Sequence, residues 1–396
     1  MSKISVFHDY FCEVGGAELV LKVLVTHYTF KKTFSKGRVV KIKTLFATKD
    51  INYRFQRLVN VQPIFAGKLG NWLCKIFKKN VGKLLTPFLN IIFDRKIKLH
   101  EVSFINTSFY LPLSNKSKKV IYYHKFPTWF LSNPSTYLKN MPFVFKWFFS
   151  LFMLIFHKQI FNAFSSPQNI VISNSSKTAY LFYKYWQKHS VIFLPILGLQ
   201  GIYNKDLYSD NNIRSKKTRI AKIYNHIKVA YIGRMEKGKN LECVKKVILK
   251  LKKNAIDNIS FGFIGKGSLL KDIKKTKYIN LRFYGWVPRQ KVFNLLKFYD
   301  FVLSLGDEAF GLTSFEALLF KKAVIGYAYT GLYDFGMLQT NVIPIYNLRK
   351  CSNLLYNKLL QANKLRLNTK DNIYIEKILK LYNIKQFVSK LKFYIS

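Results

Sequence analysis

The chain has 396 residues, and 66 Lys+Arg against 19 Asp+Glu leave a net charge of +47. With 49% hydrophobic and 17% aromatic residues, it is not a disordered basic tail, which would be poor in aromatic and β-branched side chains. The length suits two domains with separate cores, and the charge leaves nucleic acid, anionic lipid and phosphorylated small molecules open as partners.

In chain order, Ile4–Phe7 reads as a first strand and Ala17–His27 as the helix after it, joined through Glu13-Val14-Gly15-Gly16-Ala17-Glu18. The N-terminus has no apolar core of signal-peptide length, so a strand is expected there and not an export leader. Leu84–Phe93 is apolar but broken by Pro87 and Asn90. Lys119–Tyr123 and Ile170–Ser173 read as later strands. Between them, Pro142–Phe164 gathers many Phe residues around Trp147, and its apolar run Trp147–Phe156 is flanked by Lys146, His157 and Lys158. A spanning helix needs roughly 20 apolar residues, so this run is too short. It reads either as a buried core helix or as a monotopic surface, with aromatics in the membrane interface and lysines on anionic headgroups. The second reading makes the chain cytoplasmic and peripherally membrane-associated.

Tyr203–Asn225 is polar and charged and follows Pro195, Gly198 and Gly201, so the main domain boundary is expected there. Beyond it, Lys228–Ile232, Ser260–Ile264, Leu281–Tyr284, Phe301–Leu303 and Ala323–Gly326 read as short strands. Helices near Leu241–Leu251, Lys291–Leu296 and Thr313–Phe320 alternate with them. That alternation predicts a parallel sheet covered on both faces. The expected fold class is α/β, with two Rossmann-like doubly wound domains, 1–203 and 204–375, facing each other across a cleft. Cys12, Cys74, Cys243 and Cys351 are scattered, with no Cys-x-x-Cys and no nearby His. Neither a disulfide scaffold nor a zinc site is expected, and a reducing compartment fits.

Ligands of doubly wound sheets bind beyond the carboxyl ends of the strands, so the strand ends are the places to search. Gly15-Gly16 precedes a helix and can bring backbone close to a phosphate, or simply make a tight turn. His124 ends the strand Lys119–Tyr123. Gly233-Arg234 follows Lys228–Ile232, with Lys239 five residues on; an Arg fork and a Lys point charge together suit a diphosphate. The richest stretch is Asp307-Glu308-Ala309-Phe310-Gly311-Leu312-Thr313-Ser314-Phe315-Glu316. It places two of the chain's few acids seven residues apart around a glycine that opens a helix. Glu316 is also readable as the far end of a capping box begun by Thr313.

These pieces together resemble the retaining glycosyltransferases of the GT-B fold, family 4 type, which carry a Glu-x7-Glu motif. The matching stretches run in the family's order: Gly15-Gly16-Ala17-Glu18; Tyr123-His124; Ile172-Ser173-Asn174-Ser175; Tyr231-Ile232-Gly233-Arg234 with Lys239-Asn240; Phe263-Ile264-Gly265-Lys266-Gly267; Phe283-Tyr284-Gly285-Trp286-Val287; and Glu308 through Leu318. The resemblance implies a nucleotide-sugar donor, UDP- or GDP-linked, and a glycan or lipid-linked acceptor, with no metal or other cofactor. It implies that Glu308 contacts donor-sugar hydroxyls, that Glu316 holds the nucleotide ribose, and that Arg234 and Lys239 neutralise the diphosphate leaving group. Backbone amides at Phe310, Gly311 and Leu312, beside Thr313, would hold phosphate oxygens opposite the Gly15-Gly16 turn, and His124 would touch the donor sugar or the reaction centre from the N-terminal domain. A C-terminal helix in 376–396, near Glu376–Tyr394, would cross back onto the N-terminal domain.

Two stretches depart from the family pattern. Where members often carry Gly-Gly and a Glu, this chain has Ala328-Tyr329-Thr330-Gly331-Leu332-Tyr333-Asp334. Where two prolines and an acid are common, it has Leu194-Pro195-Ile196-Leu197-Gly198. Competing readings are a nucleic-acid-binding basic protein, suggested by charge alone, and a catalytically inactive GT-B scaffold. Lysines spread along the chain and not gathered in a known module count against the first; the intact Glu-x7-Glu and Arg–Lys pair count against the second.

Overall fold

The computed structural model describes residues 5–11, 16–35, 40–48, 60–78, 102–107, 118–124, 143–195, 226–236, 238–331, 334, 342–362 and 384–395. The chain divides into two units, Met1–Gly198 with Lys380–Ser396, and Leu199–Leu379. The expected linker Tyr203–Asn225, the run Leu84–Phe93, and the boundaries placed at 203 and 375 lie outside the described residues.

The strands of the first unit are β1 (Ser5–His8), β2 (Lys41–Phe46), β3 (Asn60–Phe65), β4 (Val102–Thr107), β5 (Lys118–Tyr123), β6 (Asn169–Ser173) and β7 (Val191–Ile192). They make a parallel sheet in the order β3-β2-β1-β4-β5-β6-β7, with Val6 between Ile42 and Phe104. The sequence reading has no counterpart for β2, β3, β4 or β7. Lys41 and Lys43 interrupt β2 and Pro63 interrupts β3, although Ile42 and Val61 are buried in the core of the unit. Helix α1 (Gly16–Thr26) buries Val20, Leu21, Leu24 and Val25, the i, i+4 face that a helix lays on a sheet. It is followed by α2 (Tyr28–Ser35), α3 (Gly67–Lys78), α4 (Phe143–Ser165) and α5 (Ser176–Trp186). Ser175 caps α5, its hydroxyl accepting from the Thr178 amide at 3.1 Å, a contact that stabilises a helix by about 1 kcal/mol.

Helix α4 packs by its C-terminal end. Phe164 is buried against Tyr123, Phe182 and Trp186. Toward its N-terminus the helix presents apolar side chains outward: Phe143 is 79% exposed, Trp147 55% and Leu154 81%. Among the described residues no helix is long and apolar enough to cross a membrane.

The second unit holds β8 (Ile227–Ile232), β9 (Ile259–Ile264), β10 (Leu281–Gly285), β11 (Phe301–Ser304), β12 (Ala323–Tyr327) and β13 (Val342–Ile345), in the order β10-β9-β8-β11-β12-β13. Its helices are α6 (Leu241–Lys253), α7 (Leu270–Lys274), α8 (Arg289–Leu296), α9 (Leu312–Leu319) and α10 (Cys351–Leu360). In α6 the sequence Leu-Glu-Cys-Val-Lys-Lys-Val-Ile buries Leu241, Val244, Val247, Ile248 and Leu251 while its lysines face water. The last helix, α11 (Ile384–Ile395), belongs to the first unit. Its Ile384, Phe387, Val388, Leu391 and Ile395 are buried in that unit's core, with Phe387 packed edge-on against Tyr122 and Phe193.

The expectation of no disulfide is overturned. Cys243, in the first turn of α6, is bonded to Cys351, the first residue of α10, across a Cα separation of 6.0 Å. The two lie 108 residues apart in sequence, a spacing from which no pairing can be read; the packing of α6 on α10 brings them together.

Candidate active site

In the second unit the strand order reverses between β8 and β11, from which the chain crosses over to β9 and to β12 in opposite directions along the sheet. The loops after these two strands are therefore the natural ligand site. Arg234 and Lys239 lie on the loop after β8, and Glu308 on the loop after β11. The structure joins two of them: Lys239 Nζ makes an ion pair with Glu308 Oε1. Gly306 leaves the room for it. A Cβ there would stand 3.0 Å from Lys239 Cδ and 3.4 Å from Glu308 Oε1. Asn240, next to Lys239, fastens the same two loops by donating to the Leu305 carbonyl at 2.6 Å. Arg234 is exposed, and its carbonyl accepts from the Tyr231 hydroxyl at 2.8 Å. Burial, and then the nearby Glu308 carboxylate, push the Tyr231 hydroxyl well above its ordinary range, so Tyr231 serves as a neutral donor.

Phe310 is buried. Gly331 presses on its backbone so closely that a Cβ there would stand 2.3 Å from the Phe310 Cα. Gly311 caps α9 with φ 85°, a left-handed conformation that glycine adopts freely. Leu312 and Thr313 open the helix behind it. Thr313 is not the N-cap, so the capping box is not formed. Glu316 lies in the second turn and pairs instead with Arg289, the first residue of α8, through Nη2 and Oε1. Burial raises the Glu316 carboxyl above its usual range while Arg289 pulls it back down. The Arg289 guanidinium rests over the Phe293 ring at 5.3 Å, and its Nε is buried with no hydrogen-bond partner.

In the first unit, three adjacent strands β1, β4 and β5 end in His8, Asn106-Thr107 and His124. His8 Nδ1 is 2.7 Å from the Asn106 carbonyl and Nε2 is 3.3 Å from Glu18 Oε1 on α1. Both ring nitrogens thus face acceptors. Burial alone lowers the His8 pKa, but Glu18, Asp9 and the Asn106 carbonyl outweigh it and raise it. The Asn106 side chain lies between the two imidazoles, its Nδ2 3.0 Å from His8 Nδ1 and its Oδ1 accepting from His124 Nε2 at 2.5 Å. Burial and the His8 charge push His124 down to about 3. Asn174 holds the same corner, donating to the His124 carbonyl at 2.7 Å. Gly16 is the first residue of α1; Gly15 lies outside the described residues. Among the described residues no cluster of His, Cys, Asp or Glu has the makings of a metal site.

Sequence reasoning did not find Arg289, His8 or Asn106. The strand-end rule that singled out His124 also selects His8, the last residue of β1. Arg289 carried no signal, being one base among 66 Lys+Arg.

Comparison with known proteins agrees with this architecture. Residues 213–336 match the family described as Glycosyl transferases group 1. An uncharacterized glycosyltransferase of Methanocaldococcus jannaschii is 29% identical over 146 residues, 35% of this chain and 36% of that one; the match thus spans about a third of its length. Among solved structures, Anabaena Alr3699/HepE in complex with UDP-glucose aligns with a TM-score of 0.60 at 12% identity, over 98% of this chain and 99% of that one. WaaG, a glycosyltransferase involved in lipopolysaccharide biosynthesis, aligns with a TM-score of 0.59 at 14% identity, over 99% and 100%. The chain has the GT-B fold, with two parallel-sheet α/β units, and the group 1 match supports a glycosyltransferase.

Proposed function

We propose that the protein is a retaining, metal-independent glycosyltransferase. It moves a sugar from a UDP- or GDP-linked donor to a glycan or lipid-linked acceptor at a membrane surface. The observation that carries this reading is the Lys239–Glu308 pair, with Arg234 on the same loop as Lys239, placed at the strand-order reversal of a doubly wound sheet. The group 1 match and the UDP-glucose complex of the structural neighbour favour a nucleotide-sugar ligand.

The chemistry follows from the charges. The anomeric C–O bond to the diphosphate breaks and its electron pair stays on the phosphate oxygen. The acceptor oxygen bonds to the same face of the anomeric carbon, and its proton passes to the leaving diphosphate. Arg234 and Lys239 meet that developing negative charge, as fixed cations do in a site of low dielectric. Lys239 turns from Glu308 to the diphosphate as the donor enters, which frees Glu308 to accept from sugar hydroxyls. The amides opening α9 behind Gly311 add the helix-terminal preference for phosphate. His124, kept neutral, offers the donor sugar a hydrogen bond without a charge.

Alanine at Glu308 or Arg234 abolishes transfer while circular dichroism stays unchanged; full activity in both variants overturns the assignment. A thermal-shift screen of UDP- and GDP-sugars identifies the donor, since a ligand bound to the native state raises its stability by mass action. Anomeric configuration of the product by NMR tests retention, and turnover in excess EDTA tests metal independence. Failure to bind any nucleotide sugar favours the inactive-scaffold reading.

The membrane part rests on α4, whose exposed Phe143, Trp147 and Leu154 stand beside Lys146 and Lys158. Apolar side chains of this kind enter the headgroup boundary while lysines bind anionic lipid. Flotation is expected with anionic liposomes and much weaker with neutral ones; negligible binding to both removes this part alone.

A further inference from the structure

We propose that Arg289 is a positioning residue of the nucleoside subsite, holding Glu316 by one carboxylate oxygen so that the other accepts the ribose hydroxyls of a nucleoside diphosphate. This rests on the reading of Glu316 as the ribose-binding group and adds a residue to it that neither the motif nor the composition points to.

Three features of the geometry carry it. First, the contact is single-ended: Arg289 Nη2 meets Glu316 Oε1, and Oε2 has no hydrogen bond among the described residues. Arg–carboxylate pairs are frequently bidentate, using both arms of the fork; here Nε is left buried and unpartnered. Second, Arg289 is itself held. It opens α8 directly after Pro288, and its guanidinium lies on the Phe293 ring, which is buried and stacked on Phe320. Third, α8 follows β10 and α9 follows β11, so the pair joins helices from separate crossovers on the ligand face of the sheet.

The chemical need is specific. To take hydrogen bonds from two vicinal hydroxyls, the free oxygen Oε2 must carry no proton, which the ionised form guarantees. Glu316 is nearly buried, and burial favours the protonated form. The cation at Arg289 opposes that and fixes the direction of the free oxygen.

The experiment measures, by calorimetry, the affinities of UDP and GDP and of their 2′-deoxy and 3′-deoxy counterparts for the full chain. The native protein is expected to bind the better ribonucleotide about tenfold more tightly than its deoxy forms, the value of one charged hydrogen bond. In Arg289→Gln the ribo–deoxy ratio collapses toward one, and Arg289→Lys restores part of it. A ratio unchanged in Arg289→Gln overturns the inference. If the glutamine variant does not fold, Arg289→Lys decides: a reduced ratio supports the inference and a native ratio overturns it. Glu316→Gln separates the two levels. Native discrimination in that variant overturns the reading of Glu316 itself, whereas lost discrimination there with an intact ratio in Arg289→Gln removes only the role of Arg289. Failure of both UDP and GDP to bind the native protein overturns both.

Discussion

At the scale of single residues, the Lys239–Glu308 pair is 27% and 34% exposed, so it contributes only about 0–1 kcal/mol to folding. Activity lost in Glu308→Ala therefore reports on chemistry and not on collapse. The two buried imidazoles have opposite pH consequences. An unfolded histidine takes its proton near pH 6.5, but folded His124 does so only at about 3. Between those values the unfolded chain binds more protons, so stability rises with pH across that window. His8, with its folded value raised, contributes stability fully below about pH 6.5 and loses it as pH climbs through the folded value. Urea denaturation from pH 4 to 8 checks both: His124→Gln flattens the acid-side slope, and His8→Gln removes the loss on the alkaline side. Equal slopes in all three proteins refute the pairing. His124, Glu308 and Glu316 were legible because strand ends and scarce acids mark themselves in a basic chain. Asn106 was not, because an amide at the end of a strand looks like any turn residue until two imidazoles converge on it.

At the scale of elements, the loops after β8 and β9 are built against each other. The Gly233 amide donates to the Ile264 carbonyl at 2.9 Å and the Met235 amide to the Lys266 carbonyl at 2.9 Å. Gly265 has φ 139°, and a Cβ there would stand 2.0 Å from the Gly233 oxygen. The Gly-Lys-Gly stretch thus brings two backbones together and steadies the loop that carries Arg234. Gly265→Ala is expected to destabilise the protein by about 2 kcal/mol or more, through backbone strain and displacement, and to weaken nucleotide binding. A native melting temperature in that variant excludes the tight contact. The Cys243–Cys351 bond closes a loop of 108 residues, and cross-links of that kind stabilise by about 2–4 kcal/mol. Double replacement by serine is expected to lower the denaturation midpoint of the second unit, and peptide mapping without reductant is expected to recover Cys243 and Cys351 joined. In this unit β8 to β12 were read within a residue or two because they are short, apolar and regularly spaced, whereas β13, interrupted by Pro344, was not read. In the first unit β2, β3, β4 and β7 were missed; lysines disguise the buried face of β2, and a proline that of β3.

At the scale of the whole molecule, the first unit draws its core from both parts of the chain. The five buried side chains of α11 pack there. At about 1.5–3 kcal/mol for each large apolar side chain removed from water, they bring roughly as much as the net stability of a typical domain, ~5–15 kcal/mol. A chain ending at Leu379 is expected to keep a folded second unit while the first loses its cooperative unfolding transition; calorimetry with two resolved transitions checks this. The net charge of +47 raises the stake, because self-repulsion opposes any incomplete fold. During synthesis the ribosome must make the whole Leu199–Leu379 stretch, on the order of 10–40 s of elongation, before α11 emerges. Through that interval the aromatic interior around Tyr122 and Phe193 waits open. The second unit, continuous in sequence, is free to fold first, and completion of the first waits until α11 has been made.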